Sequence, residues 1–146
     1  MRSTQFQLNL DKGRFAHVYA WLPAGEPRAC LQIIHGMAEH AGRYARLAKV
    51  LTDAGYAVYA QDLPGHGRSV RSADELGHTS DYGGWRITLS AINSVRGEIV
   101  AHSTNGTRAR RAPIQAAEIL ELSAVVPAGR VREAIAYIEQ HGKAKK

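Results

Sequence analysis

The chain has 146 residues, one cysteine and a formal net charge of +6. A chain of this length forms one domain and buries roughly two thirds of the surface that its unfolded form exposes. It contains no disulfide pair, no signal-peptide core and no apolar run near the roughly 18 residues that span a bilayer. We therefore expect one cytoplasmic domain, residues 1–146, in which Cys30 is a small core residue.

The positive charge is densest in GTRARRAP and in the final KAKK. Basic surfaces attract nucleic acid or anionic lipid. Aromatic residues do not alternate with these arginines, so we expect a solvated surface and no nucleic-acid partner, while peripheral contact with anionic lipid stays open. The seven histidines are scattered without the paired spacing of metal ligands, and we expect neither a metal nor a cofactor.

The first predicted elements are strands at residues 5–10 and 15–22, which form an antiparallel pair. The apolar run at residues 31–34 predicts a buried strand. Apolar residues then recur at helical spacing over residues 44–51, and a second apolar run covers residues 56–60. This order of strand, helix and strand is typical of a parallel pair with a crossover helix.

Both strands of this unit end in glycine-containing loops, HGMAEHAGRY after the first and DLPGHGRS after the second. In open parallel sheets, ligands bind outside the carboxyl ends of the strands. The two loops therefore predict a functional edge.

These two strings carry a resemblance to a known family. HGMAEHAGRY followed by GYAVYAQDLPGHGRS resembles the monoacylglycerol lipase and lysophospholipase branch (serine aminopeptidase S33 type) of the α/β-hydrolases, over residues 15–100. The resemblance implies an α/β fold: a partial α/β-hydrolase domain with a mostly parallel sheet, flanking helices, antiparallel N-terminal strands and a mostly helical C-terminal part. It also implies hydrolysis of carboxylic esters, with a lipid ester or another small ester as substrate.

The resemblance assigns a role to Met37. In the family, the residue after the His-Gly pair gives its backbone N–H to the oxyanion hole, and His35 and Gly36 shape the loop. A prealigned amide stabilises the negative charge of an acyl-transfer intermediate by roughly 3 kcal/mol. An isolated His-Gly pair would only end a strand, so the assignment depends on the whole string.

A serine hydrolase also needs a nucleophile on a strand-to-helix turn, usually G-x-S-x-G, and the sequence contains no such string. AHSTNG makes Ser103 a weak candidate, because alanine and asparagine occupy the two glycine positions. The apolar spacing over residues 85–99 predicts a helix before Ser103, whereas the nucleophile turn follows a strand. We expect Asn105 or Gly106 to cap that helix.

No complete catalytic triad can be assembled from the other candidates. His66 lies in a loop that the resemblance treats as scaffold, and His141 lies near the end of a predicted C-terminal helix, where it would face the helix dipole. Asp62, Asp74 and Asp81 precede Ser103, whereas the family order is serine, acid, histidine.

Two functions remain open. One is an ester hydrolase of the monoacylglycerol lipase or lysophospholipase type. The other is a non-catalytic, hydrolase-derived remnant that serves in binding or assembly. After about residue 100 an arginine cluster and an alanine-rich run replace the expected strand, which predicts truncation, frame loss or remodelling, and a homo-oligomer could cover the exposed sheet edge that results.

Overall fold

The computed structural model describes the backbone of residues 1–107 and the side chains of residues 1–102. The predicted C-terminal helix, including His141, lies outside the described residues. The main elements are strands β1 (Arg2–Asn9), β2 (Phe15–Leu22), β3 (Cys30–Ile34) and β4 (Ala57–Gln61), and helices α1 (Ala45–Asp53) and α2 (Gly84–Thr107).

The strands form one sheet in the order β1, β2, β4, β3. The β1–β2 and β2–β4 pairs are antiparallel, and the β3–β4 pair is parallel. This confirms the α/β class, the antiparallel N-terminal pair and the strand-helix-strand unit. Within the described residues the sheet is mixed, with one parallel pairing beside two antiparallel ones.

Helix α1 covers one face of the sheet. A 3₁₀ turn at Ala41–Tyr44 leads into it. Its apolar face buries Leu47 and Leu51 in a cluster with Trp21 and Val58 of the sheet. Burial of a leucine side chain stabilises a fold by about 1.5–3 kcal/mol, so this face anchors α1 behind the loop that follows β3.

Helix α2 covers the other face. Val95 and Ile99 pack in a cluster with Ala16 and Val18 of β2, and Ala91 is also buried. The buried residues are thus spaced by four positions, as expected for one side of a helix.

The first residues of the predicted apolar stripe in α2 are exposed and do not pack in the core. Trp85 is 73% exposed and Leu89 is 40% exposed.

The expectation that Asn105 or Gly106 ends the helix is wrong, since α2 continues through both residues to Thr107. One glycine costs a helix only about 1 kcal/mol, which does not force a stop. No helix in the described part of the chain is long and apolar enough to cross a membrane.

Strands β3 and β4 end level with each other, because Ile34 pairs with Gln61 in the parallel register. The loops that begin at His35 and Asp62 therefore leave the sheet side by side. This is the predicted functional edge.

Candidate active site at the carboxyl edge of the sheet

The His35 side chain joins the two loops. It is 2% exposed, its Nδ1–H donates to the Gly36 carbonyl oxygen at 2.8 Å, and its Nε2 accepts the Leu63 N–H at 2.9 Å. These partners require the neutral ring with the proton on Nδ1. Burial, the largest influence, lowers the pKa of His35 from the usual 6.5. Because backbone groups occupy both nitrogens, the ring is a structural link and not a general base.

Glu39 holds the turn that follows His35. Its Oε1 accepts the Gly36 N–H at 2.6 Å and the Tyr44 hydroxyl at 3.0 Å. Burial and the hydrogen bond to Glu39 raise the pKa of Tyr44 to about 12, so the phenol stays protonated and keeps donating. The Gly36 amide is thereby occupied, and the next amide along the chain belongs to Met37.

The Met37 N–H donates no hydrogen bond to any group in the part of the chain whose side chains are described. The Met37 side chain is 88% exposed. Ala38, the next residue, has a φ of 56°, which is a left-handed backbone conformation. An oxyanion donor has to be an unpaired amide in a fixed turn, and Met37 meets both conditions within the described residues; its role in the oxyanion hole stays a prediction.

Asp62 fastens the loop after β4. The residue is fully buried, its Oδ1 accepts the Ala41 N–H at 2.7 Å, and its Oδ2 accepts the Arg68 N–H at 2.8 Å. Gly67 has a φ of 51°, and a Cβ there would overlap the Asp62 carboxylate. Only glycine lets the loop close on this side chain. Asp62 therefore connects the loop after β4 to the turn that precedes α1.

The remaining candidates near this edge have structural partners or are exposed. The His66 Nδ1–H donates to the Pro64 carbonyl oxygen at 3.1 Å, and its ring centroid lies 5.3 Å from that of His35. Ser69 is buried, with its hydroxyl donating to the Asp62 carbonyl oxygen at 2.6 Å. Asp81 is 84% exposed, with its Oδ1 3.4 Å from the His78 Nε2. Asp74 is exposed on the same loop.

The structure does not bring Ser103 to a nucleophile turn. Its backbone lies inside α2, four residues before the helix ends at Thr107. A nucleophile turn requires a sharp bend between a strand and a helix, and a residue within a continuous helix lacks it. Among residues 1–102, no three His, Cys, Asp or Glu side chains are arranged to hold a metal ion.

Sequence reasoning missed the residues that build this edge. In the sequence, Glu39 is only one letter of the family string, and Asp62 is a poor triad acid because it precedes Ser103. A signal was available for each: Glu39 stands three residues after Gly36, close enough to bond its amide, and Asp62 is a carboxylate directly after the buried strand β4. A buried carboxylate is retained only where hydrogen-bond donors surround it.

Known proteins show similarity over this same region. The sequence profile of the family described as "Serine aminopeptidase, S33" matches residues 25–106, more than half of the chain. Human monoglyceride lipase is 40% identical over 62 residues, covering 42% of this chain and 20% of the human protein. The monoacylglycerol lipase of Mycolicibacterium smegmatis is 51% identical over 49 residues, covering 34% of this chain and 18% of that lipase.

The chain thus spans about a fifth of the length of these relatives. Among solved structures, a thermostable carboxyl esterase from Bacillus coagulans superimposes with a TM-score of 0.63 at 23% identity. The match covers 72% of this chain and 34% of the esterase, and it shows a shared α/β-hydrolase fold. With the fold, the two loops and the profile in agreement, the chain belongs to the serine aminopeptidase S33 family of α/β-hydrolases.

Proposed function

We propose that this chain carries the ester chemistry of its lipase relatives and acts on carboxylic esters of lipids, such as monoacylglycerols or lysophospholipids. The observation that carries the proposal is the Met37 amide, which has no partner among the described residues and lies in a turn fixed by His35 and Glu39 at the carboxyl edge of the sheet. The names of the two lipase relatives support the substrate class. The single cysteine, Cys30, fits a reducing compartment and supports a cytoplasmic location.

The chemistry explains why a fixed turn matters. Attack on an ester carbonyl moves negative charge onto its oxygen, and an amide already in place stabilises that charge without reorganisation. Glu39 and His35 occupy the neighbouring donors and acceptors, so the turn is held before substrate arrives. The nucleophile and its base would have to come from outside the described side chains, with Ser103 as the weak candidate within α2.

A non-catalytic role in binding or assembly is the second candidate. One observation favours it, namely the position of Ser103 inside α2. A serine without a neighbouring base has a negligible alkoxide fraction at neutral pH. In that case the edge loops would be retained as a folded scaffold without turnover.

Labelling with a fluorophosphonate serine probe separates the two functions. The full chain and the Ser103→Ala variant would be treated in parallel, adducts mapped by mass spectrometry, and folding checked by circular dichroism. An ester hydrolase gives one saturable adduct, and loss of that adduct in Ser103→Ala identifies Ser103 as the nucleophile. A folded chain that takes up no probe would refute the hydrolase and leave the non-catalytic role.

If the chain is labelled, Met37 can be tested separately. Met37→Pro removes the proposed donor, whereas Met37→Ala keeps it and changes only the side chain. We expect labelling about 10²-fold slower in Met37→Pro, because one oxyanion donor contributes roughly that factor, and little change in Met37→Ala. Equal rates in the two variants would exclude the Met37 N–H as an oxyanion donor.

A further inference from the structure

A polar side chain interrupts the apolar layer between the sheet and α2. Gln61, the last residue of β4, is 0% exposed. It lies opposite Val18 in the antiparallel register, and Val18 packs in a cluster with Val95 and Ile99 of α2. Directly opposite residues of neighbouring strands project from the same face of a sheet. The Gln61 amide therefore lies on the face that α2 covers, where its polar atoms need partners.

Gln32 of β3 provides a partner for the oxygen of this amide. The Gln32 Nε2 donates to the Gln61 Oε1 at 2.9 Å and to the Ile92 carbonyl oxygen of α2 at 3.2 Å. These two bonds use both hydrogens of the Gln32 amide nitrogen. Gln32 thus joins β3, β4 and α2 at one point.

The Ile92 carbonyl determines which way both side-chain amides face. A carbonyl oxygen only accepts, so Gln32 must present its nitrogen to Ile92, and the same nitrogen reaches Gln61. If the Gln61 amide were turned by half a rotation, two NH₂ groups would face each other and neither could accept. The Gln61 Nε2 therefore faces away from Gln32, and among the described residues it has no hydrogen-bond partner.

The chemistry of this nitrogen identifies the ligand that it takes. An amide NH₂ group donates hydrogen bonds and does not ligate a metal cation. An anion would have to give up its hydration beside apolar residues such as Val18, which costs more than one amide bond returns. A water molecule accepts a hydrogen bond, carries no charge and is the usual partner of a buried polar group that the protein itself does not pair.

We propose that the Gln61 Nε2 holds a buried water molecule beneath the first half of α2. The water completes a polar seam, which consists of the side chains of Gln61 and Gln32 and the Ile92 carbonyl. This inference is independent of the proposed ester hydrolysis.

The polar seam accounts for how the first half of α2 is attached. The apolar side chains of Trp85 and Leu89 are exposed and do not fasten the start of the helix to the sheet. The bond from Gln32 to the Ile92 carbonyl supplies a polar attachment there instead. A water that satisfies Gln61 keeps this attachment free of a bare buried donor.

Nuclear magnetic resonance of the full chain tests the proposal directly. Because Gln61 is 0% exposed, bulk water does not reach its amide protons, and a nuclear Overhauser effect between them and water requires a bound molecule. We expect cross-peaks to water of opposite sign in the laboratory-frame and rotating-frame experiments, as for a long-lived bound water. Plain proton exchange would give the same sign in both.

A double substitution provides the matched comparison. Gln32→Met combined with Gln61→Met replaces both amides by unbranched apolar side chains, so no buried N–H is left without its acceptor. We expect the number of long-lived waters, counted by magnetic relaxation dispersion of the water oxygen, to fall by one. Gln7→Met, at an exposed position of β1, should leave that number unchanged. Circular dichroism would establish that both variants are folded.

The absence of a cross-peak between water and the Gln61 amide would overturn the inference. Cross-peaks to protons of residues 108–146 in its place would show that a protein group accepts the bond. An unchanged number of long-lived waters in a folded double variant would also overturn it. If the double variant does not fold, the cross-peak in the unaltered chain still decides. Neither measurement needs a nucleophile, so the result is separate from that of the serine probe.

Discussion

At the scale of single residues, the burial of His35 makes folding depend on pH. Burial lowers the pKa of His35 below 6.5, the value expected when unfolded, and the folded ring also uses its Nε2 to accept a backbone N–H. Well above pH 6.5 both states are neutral and the stability is complete. As the pH falls below 6.5, the unfolded chain gains protons that the folded chain does not, and stability is lost.

We therefore expect the free energy of unfolding, measured with urea between pH 7.5 and 5, to fall as the pH drops below 6.5. The slope approaches about 1.4 kcal/mol per pH unit for each such histidine, and burial also lowers the pKa of His17. His35→Asn should reduce the slope. An unaltered slope in His35→Asn would contradict the assigned hydrogen bonds.

Ala38 is also a point of local strain. A residue with a Cβ in the left-handed region costs about 1–2 kcal/mol relative to its preferred conformations, and glycine does not carry this cost. Ala38→Gly should raise the thermal midpoint by several degrees, as expected for roughly 1 kcal/mol in a domain of this size. Ala24→Gly, at an exposed position before β3, serves as the control and should not raise it. A lower midpoint in Ala38→Gly would show that the turn is not strained.

At the scale of elements, the sequence was most informative where apolar spacing and neighbouring loops agreed. Strand β2 occupies the predicted residues 15–22, and β3, α1 and β4 differ from prediction by at most two residues at either end. The predicted end of α2 at Asn105 or Gly106 is wrong: both residue types are typical of helix caps, but a long helix tolerates them. The sequence also does not indicate which part of the α2 stripe is buried, because the exposed Trp85 and Leu89 follow the same spacing as the core residues.

A substitution at Gly97 tests whether α2 is continuous through its middle. Gly97 is exposed in the middle of α2, and a Cβ there would meet no atom within 4 Å. Gly97→Ala should stabilise the chain by about 0.5–1 kcal/mol, because alanine loses less backbone freedom on entering a helix.

In Gly67→Ala, by contrast, the new methyl group would collide with Asp62, and we expect clear destabilisation. Urea midpoints measure both, and a destabilised Gly97→Ala would argue against a continuous helix there.

At the scale of the whole molecule, the sequence predicts which edge and which amide to consider, but not the contacts that hold them in place. The string around Met37 pointed to an amide donor, and the described turn leaves that amide unpaired. The contacts that hold it could not be predicted, because Asp62 reaches back 21 residues to the Ala41 amide and His35 reaches forward 28 residues to that of Leu63. Such pairings depend on how the strands align, which local spacing does not encode. Among the described strands, β3 stands at the end of the sheet order, and its sequence CLQII has no charge or proline to discourage further pairing.

The bonds made by Asp62 also mean that the two loops cannot respond to change independently. One carboxylate receives amides from Ala41, on the approach to α1, and from Arg68, in the loop after β4. Residues that share a buried hydrogen-bond partner generally show coupling energies instead of additive effects. A substitution in one loop will therefore change the effect on stability of a substitution in the other. We expect the residues of the two loops to vary together among related proteins.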